Sequence, residues 1–345
     1  DPDWYGINCT TTNDTDINAI SIESIGLSGT IPSGLFELAP LQYLIMNNNS
    51  LINGIPTNIG SLTNLLVLNL DRNKLDGIIP DNIGSLSSLS VLSLHRCALL
   101  GPLPSSFSQL THLVNLNLNV NEIHGSIGTI LWTLDQLTTL SFEDNGLTGS
   151  ISTAISQLTS LQALSLGINL LNGTLPSTLV AMTSLTHISL GENKLSGSIP
   201  SDIGSLIQLT RLALYSNQFE YTIPTEIASL TRILHLSLNS NLLIGELPSI
   251  LGSLTTLRAL HLEDNSLTSS VPIAIGQLTH LTLFDVSENR MYGTFPQVLL
   301  TLTGLTYLDV STNFLTSTLP PAIGNMTNLL YFRCGTNSIS GTLPS

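Results

Sequence analysis

Residues 62–85 read Leu-Thr-Asn-Leu-Leu-Val-Leu-Asn-Leu-Asp-Arg-Asn-Lys-Leu-Asp-Gly-Ile-Ile-Pro-Asp-Asn-Ile-Gly-Ser, and this pattern recurs every 24 residues from about residue 25 onward. Leu68 and Leu70 alternate with polar neighbours, which predicts a strand with one buried face. Asn73 ends that strand, and Pro80 begins the opposite side of the coil. A period of this length predicts a solenoid, in which each coil buries its apolar residues against the neighbouring coils.

Asparagine occupies one position of the repeat, here called the ladder position, in nearly every coil. We expect its side-chain amide to hydrogen-bond buried backbone groups in the turn, which would otherwise be costly to leave unpaired. Ile25 and Cys97 break the series, and Gly128 and Ser152 break a second series, of prolines seven residues after the ladder position. The ladder asparagines are Asn49, Asn73, Asn121, Asn145, Asn169, Asn193, Asn217, Asn241, Asn265, Asn289, Asn313 and Asn337.

The pattern LxxLxLxxNxLxGxIPxxIGxLxxL resembles the plant-type leucine-rich repeat, and it covers about residues 17 to 345 in roughly thirteen coils. The resemblance implies an α/β solenoid, namely a right-handed leucine-rich-repeat superhelix with a concave parallel β-sheet and short helical or 3-10 segments on the convex side. The first nine residues are similar to the N-terminal cap of that family, without its usual earlier cysteine. We therefore expect a cap-like segment at residues 1–24 and a solenoid at residues 25–345 with no paired-cysteine C-terminal cap.

Composition argues against several classes of partner. The chain has 9 basic and 23 acidic residues and a net charge of −14, so nucleic acid and anionic membrane surfaces are poor partners. No stretch reaches the roughly 18 apolar residues of a membrane span. The sequence begins at Asp1 with no signal peptide, as expected of a processed ectodomain. Cys97 and Cys334 read as packed free thiols too far apart to bond, and the pairing state of Cys9 stays open.

Five glycosylation sequons occur in the sequence, and they favour a secreted protein. Chance also produces sequons in a chain this rich in Asn, Ser and Thr. The candidate acceptors are Asn8, Asn13, Asn48, Asn172 and Asn325.

The residues four, two and one before each ladder position are predicted to face solvent on the concave side, in columns about 4.8 Å apart from coil to coil. In the later coils these columns bring together an acidic patch. It suits a cation, a basic peptide or sugar hydroxyls, although Asp four residues before the ladder is common in the family and the whole chain is acidic. The acidic patch comprises His261, Glu263, Asp264, Asp285, Glu288 and Asp309.

Two further clusters lie on the same predicted face. A basic patch in the early coils contains Arg72, Lys74, His95 and Arg96, and it could orient a polar partner. A strip of three residues beside Tyr215 is consistent with a pH-sensitive contact surface or with ordinary solvated side chains. That strip contains His187, Arg211 and His235.

Two other features allow alternative interpretations. A row of threonines on the convex side resembles the flat ladders of ice-binding solenoids, although short hydroxyl residues also suit the family's turns. The threonines are Thr63, Thr111, Thr159, Thr183, Thr231, Thr255, Thr279, Thr303 and Thr327. In the irregular coil that lacks proline at residue 128, an outward Trp132 could anchor a partner or could be local packing.

No group of residues meets the geometric demands of catalysis, of a metal site or of a phosphate loop, so we predict a non-enzymatic protein without a cofactor. Asp285 and Asp309 have the spacing of glycosidase carboxylates, but nothing supplies a desolvated pocket. The resemblance to receptor ectodomains and polygalacturonase-inhibiting proteins implies an extracellular or cell-surface module that binds a protein, peptide or glycan. The alternatives are a structural or adhesive protein that assembles through its C-terminal coil, and an ice-binding protein.

Overall fold

The structure, a computed structural model, describes residues 7–9 and 17–342, which include part of the predicted cap-like segment. The chain divides into two compact units, Asp1–Leu171 and Asn172–Ser345. Each unit is a leucine-rich-repeat solenoid built from short parallel strands and single turns of 3-10 helix. The predicted fold class is therefore confirmed.

The main sheet of each unit is formed by the strands that begin six residues before the ladder position. In the first unit its strands are Ile7–Cys9, Ile17–Ser21, Tyr43–Ile45, Val67–Asn69, Val91–Ser93, Asn115–Asn117, Thr139–Ser141 and Ala163–Ser165. In the second unit they are His187–Ser189, Arg211–Ala213, His235–Ser237, Ala259–His261, Leu283–Asp285, Tyr307–Asp309 and Tyr331–Arg333. The first pair, Ile7–Cys9 with Ile17–Ser21, is antiparallel, and the other pairs within each unit are parallel.

A second set of strands, here called the lateral sheet, follows the ladder position. It contains Ser28–Thr30, Ser50–Ile52, Leu100–Gly101, Glu122–Ser126, Gly146–Ser150, Leu170–Gly173, Lys194–Gly197, Gln218–Tyr221, Leu242–Glu246, Ser266–Thr268, Tyr292–Thr294, Phe314–Ser317 and Ser338–Ile339. These strands also pair in parallel, but the pairing is interrupted in both units. In the second unit the interruption lies between Ser266–Thr268 and Tyr292–Thr294.

Short 3-10 helices begin directly after the prolines. They are Ser33–Glu37, Thr57–Ser61, Asp81–Ser85, Ser105–Gln109, Thr153–Gln157, Ser177–Ala181, Ser201–Ser205, Thr225–Ser229, Ser249–Ser253, Ile273–Gln277, Gln297–Thr301 and Pro321–Asn325. Proline fixes φ near the value required before a helical turn, so it suits this boundary. Where Ser152 replaces proline, its hydroxyl accepts a hydrogen bond from the backbone N–H of Ala154 at 3.2 Å and caps the helix instead.

The coil after Asn121 departs from this plan. Residues 129–133 form turns instead of a 3-10 helix, and Gly128 has a φ of 64°. Trp132 is 1% exposed, so of the two interpretations local packing is confirmed and an outward anchor is excluded. The indole fills the interior of a coil whose helix is missing, although its Nε1–H has no hydrogen-bond partner.

Each ladder asparagine fastens its coil to the one before it. In the coil quoted above, Asn73 Oδ1 accepts a hydrogen bond from the Leu51 N–H at 3.0 Å. Its Nδ2 donates to the carbonyls of Met46 at 3.0 Å and Leu70 at 2.8 Å. Asn73 is 6% exposed, and these bonds satisfy backbone groups that water does not reach. The predicted role of the ladder is confirmed.

Cys97 replaces only part of this function. Its Sγ donates to the Leu70 carbonyl at 3.1 Å, as an asparagine amide would. It provides no side-chain oxygen for the turn of the preceding coil, and the Leu75 N–H bonds to the Cys97 backbone carbonyl at 2.9 Å instead. Cys97 is a buried free thiol, as predicted, whereas Cys334 is also free but only half-buried, because its coil is less covered than expected.

The residue before each ladder position adopts the left-handed conformation, with φ between 50° and 59° in every coil. Its side chain is exposed or half-exposed in each case. Asparagine and aspartate tolerate this conformation best, and branched residues such as Val120 and Ile168 tolerate it poorly.

Candidate binding face of the main sheet

The register of the second unit places the acidic patch on adjacent strands. His261, Asp285, Asp309 and Arg333 are successive Cα partners across the main sheet. The 24-residue period predicted this alignment, and the structure confirms it. The patch therefore consists of neighbouring side chains on the face of the main sheet that does not contact the leucine core.

The two central carboxylates are not solvent-facing, however, which corrects the sequence prediction. Asp285 is 6% exposed and Asp309 is 3% exposed. Asp285 Oδ1 accepts hydrogen bonds from the N–H and the hydroxyl of Ser287 at 2.9 and 2.7 Å. Asp309 does the same with Ser311. Each carboxylate is folded back onto the turn that ends its own strand, which removes it from solvent.

Asparagine has the same role in the first unit. Asn69 accepts from the Asp71 N–H at 3.0 Å, and Asn117 accepts from the Asn119 N–H at 3.1 Å. An Asp or Asn four residues before the ladder therefore closes a turn, as such side chains commonly do. This explains why Asp recurs there without any requirement for a ligand.

Two stacked tyrosines cover the buried carboxylates. The rings of Tyr307 and Tyr331 lie 4.5 Å apart between centroids and 8° from parallel. The Arg333 guanidinium lies 4.8 Å from the centroid of the Tyr331 ring. The Tyr307 hydroxyl donates a hydrogen bond to Asp285. The sequence analysis missed this platform, although the two tyrosines occupy the same repeat position in consecutive coils.

Burial and like charge shift the ionisation of this group. Burial raises the pKa of Asp285, the hydrogen bonds from Ser287 lower it, and the charges of Glu263 and Asp309 raise it further. The pKa of Tyr307 is also raised, first by burial and then by the two aspartates. The phenol therefore remains a hydrogen-bond donor at any physiological pH.

The exposed part of the acidic patch lies beside this platform. His261 Nδ1 and Glu263 Oε1 are 3.5 Å apart, while Glu263 Oε2 is buried and has no hydrogen-bond partner. Asp264 and Glu288 occupy the left-handed position of consecutive coils and are fully exposed. The open face thus combines unneutralised carboxylates with a flat aromatic surface, a combination that suits guanidinium and ammonium groups.

The predicted strip on the earlier strands is also assembled. His187, Arg211 and His235 are successive Cα partners. The pKa of His235 is lowered by burial and by the charges of Arg211, His261 and Arg258. His235 is therefore neutral at pH 7. The ring of Tyr215 lies over Gly191, where a side-chain carbon would overlap it.

The basic patch of the first unit lies next to the carboxylate of Asp71. Asp71 accepts a hydrogen bond from the His95 N–H at 2.7 Å, and the His95 ring contacts the Asn119 carbonyl at 3.2 Å. Arg72 and Arg96 are exposed at left-handed positions of consecutive coils. Lys74 instead pairs with Ile52 at an isolated bridge on the lateral side. The prediction that Lys74 lies on this face is therefore wrong.

The sequon residues Asn48, Asn172 and Asn325 are exposed. Asn13 lies outside the described residues, and Asn8 lies in the strand Ile7–Cys9. All nine threonines of the convex row are exposed.

Within residues 7–9 and 17–342, no group of three or more His, Cys, Asp or Glu side chains is arranged to hold a metal ion. Over the same part of the chain, no helix combines the length and apolar character needed to cross a membrane.

Comparisons with known proteins agree with this geometry. The family model Leucine Rich Repeat matches residues 40–62, 64–86, 88–110, 136–158, 184–206 and 304–326. That model describes a repeat and not a catalytic domain. No protein with a curated description matches the sequence significantly.

Solved structures give matches over nearly the whole chain. The plant peptide hormone receptor RGFR1 in complex with RGF2 is 30% identical, with a TM-score of 0.84, and the match covers 99% of this chain and 65% of that one. A TDR receptor is 32% identical, with a TM-score of 0.88, over 94% of this chain and 57% of that one. The Leptospira interrogans leucine-rich-repeat protein LIC12759 is 35% identical, with a TM-score of 0.76, over 90% of this chain and 76% of that one.

This chain spans less than two thirds of the length of the two receptor structures. The matches nevertheless cover 99% and 94% of this chain. The chain belongs to the leucine-rich-repeat family and is of the plant type.

Proposed function

We propose that this protein is an extracellular or cell-surface recognition module that binds an extended, basic polypeptide on the solvent face of the main sheet in its second unit. The observation that carries this proposal is the likeness to the structure of RGFR1 with RGF2, described as a peptide hormone receptor with its bound partner. The Arabidopsis thaliana receptor kinase GASSHO1, in complex with CASPARIAN STRIP INTEGRITY FACTOR 2, is likewise 33% identical over 92% of this chain. The match covers 44% of that receptor.

The open surface supports an extended ligand. Adjacent strands of a sheet lie about 4.8 Å apart, and an extended chain advances about 3.3 Å per residue. Three coils therefore match about three residues of a peptide that crosses the strands. The stacked rings of Tyr307 and Tyr331 offer a rigid aromatic contact, which costs little conformational entropy on binding.

The charge of the face supports a basic ligand. Asp264 and Glu288 are exposed, and Glu263 beside Asp264 is half-buried and adds a further negative charge. A lysine or arginine of the ligand would gain charge-assisted hydrogen bonds from these groups. Asp285 and Asp309 add only to the negative electrostatic potential of the face, because their oxygens are buried and cannot bond to a ligand.

Random 12-residue peptides displayed on phage, selected on the whole protein, test this proposal. The selected peptides should be rich in Lys and Arg and should lose about tenfold in affinity when Asp264→Asn and Glu288→Gln are combined. Asp144→Asn combined with Glu192→Gln removes the same charge from the same repeat position in other coils, and it should change affinity less than about twofold. Equal losses of affinity in the two double variants would show that binding depends on overall charge and not on this face. Selective binding of a neutral oligosaccharide on a glycan array would identify the ligand as a glycan and not a peptide.

The extracellular location rests on the exposed sequons and on the likeness to plant receptors. Asn48, Asn172 and Asn325 are accessible to a glycosyltransferase. Mass spectrometry of the protein purified from its natural source should find glycan on at least one of them. Unmodified asparagine at every sequon, together with recovery inside the cell, would contradict the location.

Ice binding is a second candidate, and one observation favours it. Five consecutive coils of the second unit expose threonine at the same position, namely Thr231, Thr255, Thr279, Thr303 and Thr327. In the coil before Thr231, Ile207 occupies this position, so the uninterrupted row of threonines begins at Thr231. A thermal-hysteresis measurement on the whole protein decides between the two functions, because a peptide receptor does not lower the growth temperature of ice.

A further inference from the structure

A groove of about 750 Å³ lies on the lateral side of the second unit, away from the face proposed above. Its walls come from four consecutive coils, from Thr222 to Tyr292. A smaller cavity of about 300 Å³ shares Ser270 with it and continues to Val298. The lateral sheet is interrupted at the same place, between Ser266–Thr268 and Tyr292–Thr294. The groove therefore follows a break in the regular repeat.

The surface around the groove is unusually apolar for an exposed surface. Ile250 and Tyr292 line the groove and are 47% and 57% exposed. Leu242 and Ile244 lie on the lateral strand that leads into it and are 57% and 48% exposed. Isolated exposed apolar residues are common, but two that line one groove, with two more on a strand that enters it, favour an interaction surface.

The backbone beside the groove is strained. Tyr221 has a φ of 68° at a repeat position where glycine takes positive φ in most coils. It directly precedes the groove residue Thr222 and is 57% exposed. A bulky residue in the left-handed region costs about 1–2 kcal/mol. Because the Tyr221 ring is exposed, burial of the ring does not offset this cost. Strain of this kind concentrates at functional sites.

The charge around the groove is predominantly negative, although the exposed Arg290 lies two residues before the groove residue Tyr292. Glu246 lines it, and no lysine or arginine does. Glu220 lies on the strand Gln218–Tyr221, whose residue Tyr221 precedes the groove. Glu226 accepts a hydrogen bond from the groove residue Thr225 at 3.3 Å. A partner must therefore supply both an apolar surface and a positive charge.

The dimensions fix the form of the partner. Four coils at about 4.8 Å spacing span roughly 14 Å, which equals four to five residues of an extended chain. The threonine and serine hydroxyls along the walls can bond to the backbone of such a chain, while Ile250 and Tyr292 contact its side chains. A rigid disc-shaped cofactor would not match an open trough of this length.

We infer that this lateral groove is a second binding site, which takes an extended segment of a protein partner that carries a basic residue next to aliphatic or aromatic ones. It is separate from the face of the main sheet, so one molecule can engage two polypeptides at once. Glu246 pairs with the basic residue, Ile250 and Tyr292 hold the apolar residues, and Tyr221 is kept in its strained conformation for this contact.

The test uses the whole protein with Asp264→Asn and Glu288→Gln, so that the main-sheet face does not dominate the selection. Random 12-residue peptides displayed on phage are selected on this variant, and the affinity of the enriched peptides is measured by fluorescence anisotropy. Ile250→Asp should weaken binding about tenfold or more, and Glu246→Gln about threefold to tenfold. Ile207→Asp is the matched control, since Ile207 is 51% exposed in the same unit but outside the groove, and it should change binding less than twofold.

Tyr221→Gly separates a binding role from a structural one. The substitution removes the left-handed strain, so the melting temperature should rise while peptide affinity falls about threefold or more. If affinity is unchanged, Tyr221 has no part in the site. The inference as a whole is overturned if no enriched peptide responds to Ile250→Asp.

Two other results would assign the groove to a different occupant. Self-association in analytical ultracentrifugation that Ile250→Asp abolishes would identify a second copy of this chain. Oligosaccharide binding on a glycan array that Tyr292→Ala abolishes would identify a glycan. Failure of the main-sheet proposal would leave these results unaffected, because the selection is made on a variant that already lacks its exposed carboxylates.

Discussion

The ring of Tyr215 packs against Gly191, one coil earlier on the main sheet. This contact buries Gly191 and leaves the ring only half-exposed. A side-chain carbon at this position would overlap three ring atoms, so the ring would have to move. Tyr215, a candidate ligand contact beside the predicted strip, thus packs against a residue 24 positions earlier in the chain.

We expect Gly191→Ala to displace the Tyr215 ring and to lower the free energy of unfolding by about 1–2 kcal/mol. Urea denaturation of the single and double variants checks this. In a Tyr215→Ala background, Gly191→Ala should be nearly neutral, because the clash no longer exists. Additive effects would show that the contact is not the cause.

Asp285→Asn should stabilise the protein at neutral pH by on the order of 1 kcal/mol. The amide oxygen can still accept from the Ser287 N–H, as Asn69 does from Asp71, while the buried charge next to Asp309 is removed. The folded-state pKa of Asp285 is raised, so the wild-type protein loses stability from this group as pH rises through that pKa. The advantage of the variant should therefore shrink as the pH falls below the ordinary carboxyl range.

Denaturant unfolding of both proteins at pH 7 and pH 3.5 measures this difference. Asp285→Ala is the control, since it removes the charge and the turn-closing acceptor together and should be less stable than Asp285→Asn at both values. An advantage for Asn that does not depend on pH would contradict the assignment to buried charge.

The thiol of Cys97 should make stability fall at alkaline pH. Burial raises its pKa from 9.0 to about 12, so the unfolded chain ionises first. The stability that the neutral thiol of Cys97 contributes is complete below pH 9. It is lost as the pH rises toward 12, at about 1.4 kcal/mol per pH unit. The free energy of unfolding should therefore fall more steeply between pH 9 and pH 10.5 in the wild-type protein than in Cys97→Ser. Identical slopes would exclude Cys97 as the source.

Val120→Asn should raise the free energy of unfolding by about 1 kcal/mol. Val120 has a φ of 57° at the left-handed position before Asn121, where a branched side chain is disfavoured and asparagine is tolerated. Thermal unfolding followed by circular dichroism tests this. Val67→Asn, at a half-buried strand position without positive φ, should instead destabilise. A gain at both positions would indicate an effect other than backbone strain.

Much of the fold could be predicted from the sequence, because each coil repeats the same local instructions. The ladder asparagines, the prolines and the alternating leucines fixed the strands and their register, including the alignment of His261 with Asp285. The period could not show that Tyr307 donates to Asp285 or that Trp132 fills its own coil, since these contacts depend on the identity of residues in one or two coils. For that reason the sequence prediction wrongly placed the side chains of Asp285 and Asp309 in solvent.

The lateral groove also lay beyond the sequence pattern, because its walls come from positions that vary between coils. One signal was available, namely Tyr221 at a position otherwise occupied mostly by glycine. A bulky residue at a glycine position breaks the rule that builds the scaffold, and such exceptions are expected at functional sites.

The ladder also has a mechanical consequence. Each asparagine bonds to the coil before it, to a carbonyl 27 residues back and an N–H 22 residues back, as in Asn73 with Met46 and Leu51. Tension applied to the C-terminal end of a unit would therefore peel off one coil at a time, each step releasing 24 residues or roughly 80 Å of contour length. Between Asn73 and Asn121, the coil fastened by the Cys97 thiol lacks the side-chain oxygen of the ladder asparagine, so we expect it to yield at a lower force than the coils next to it.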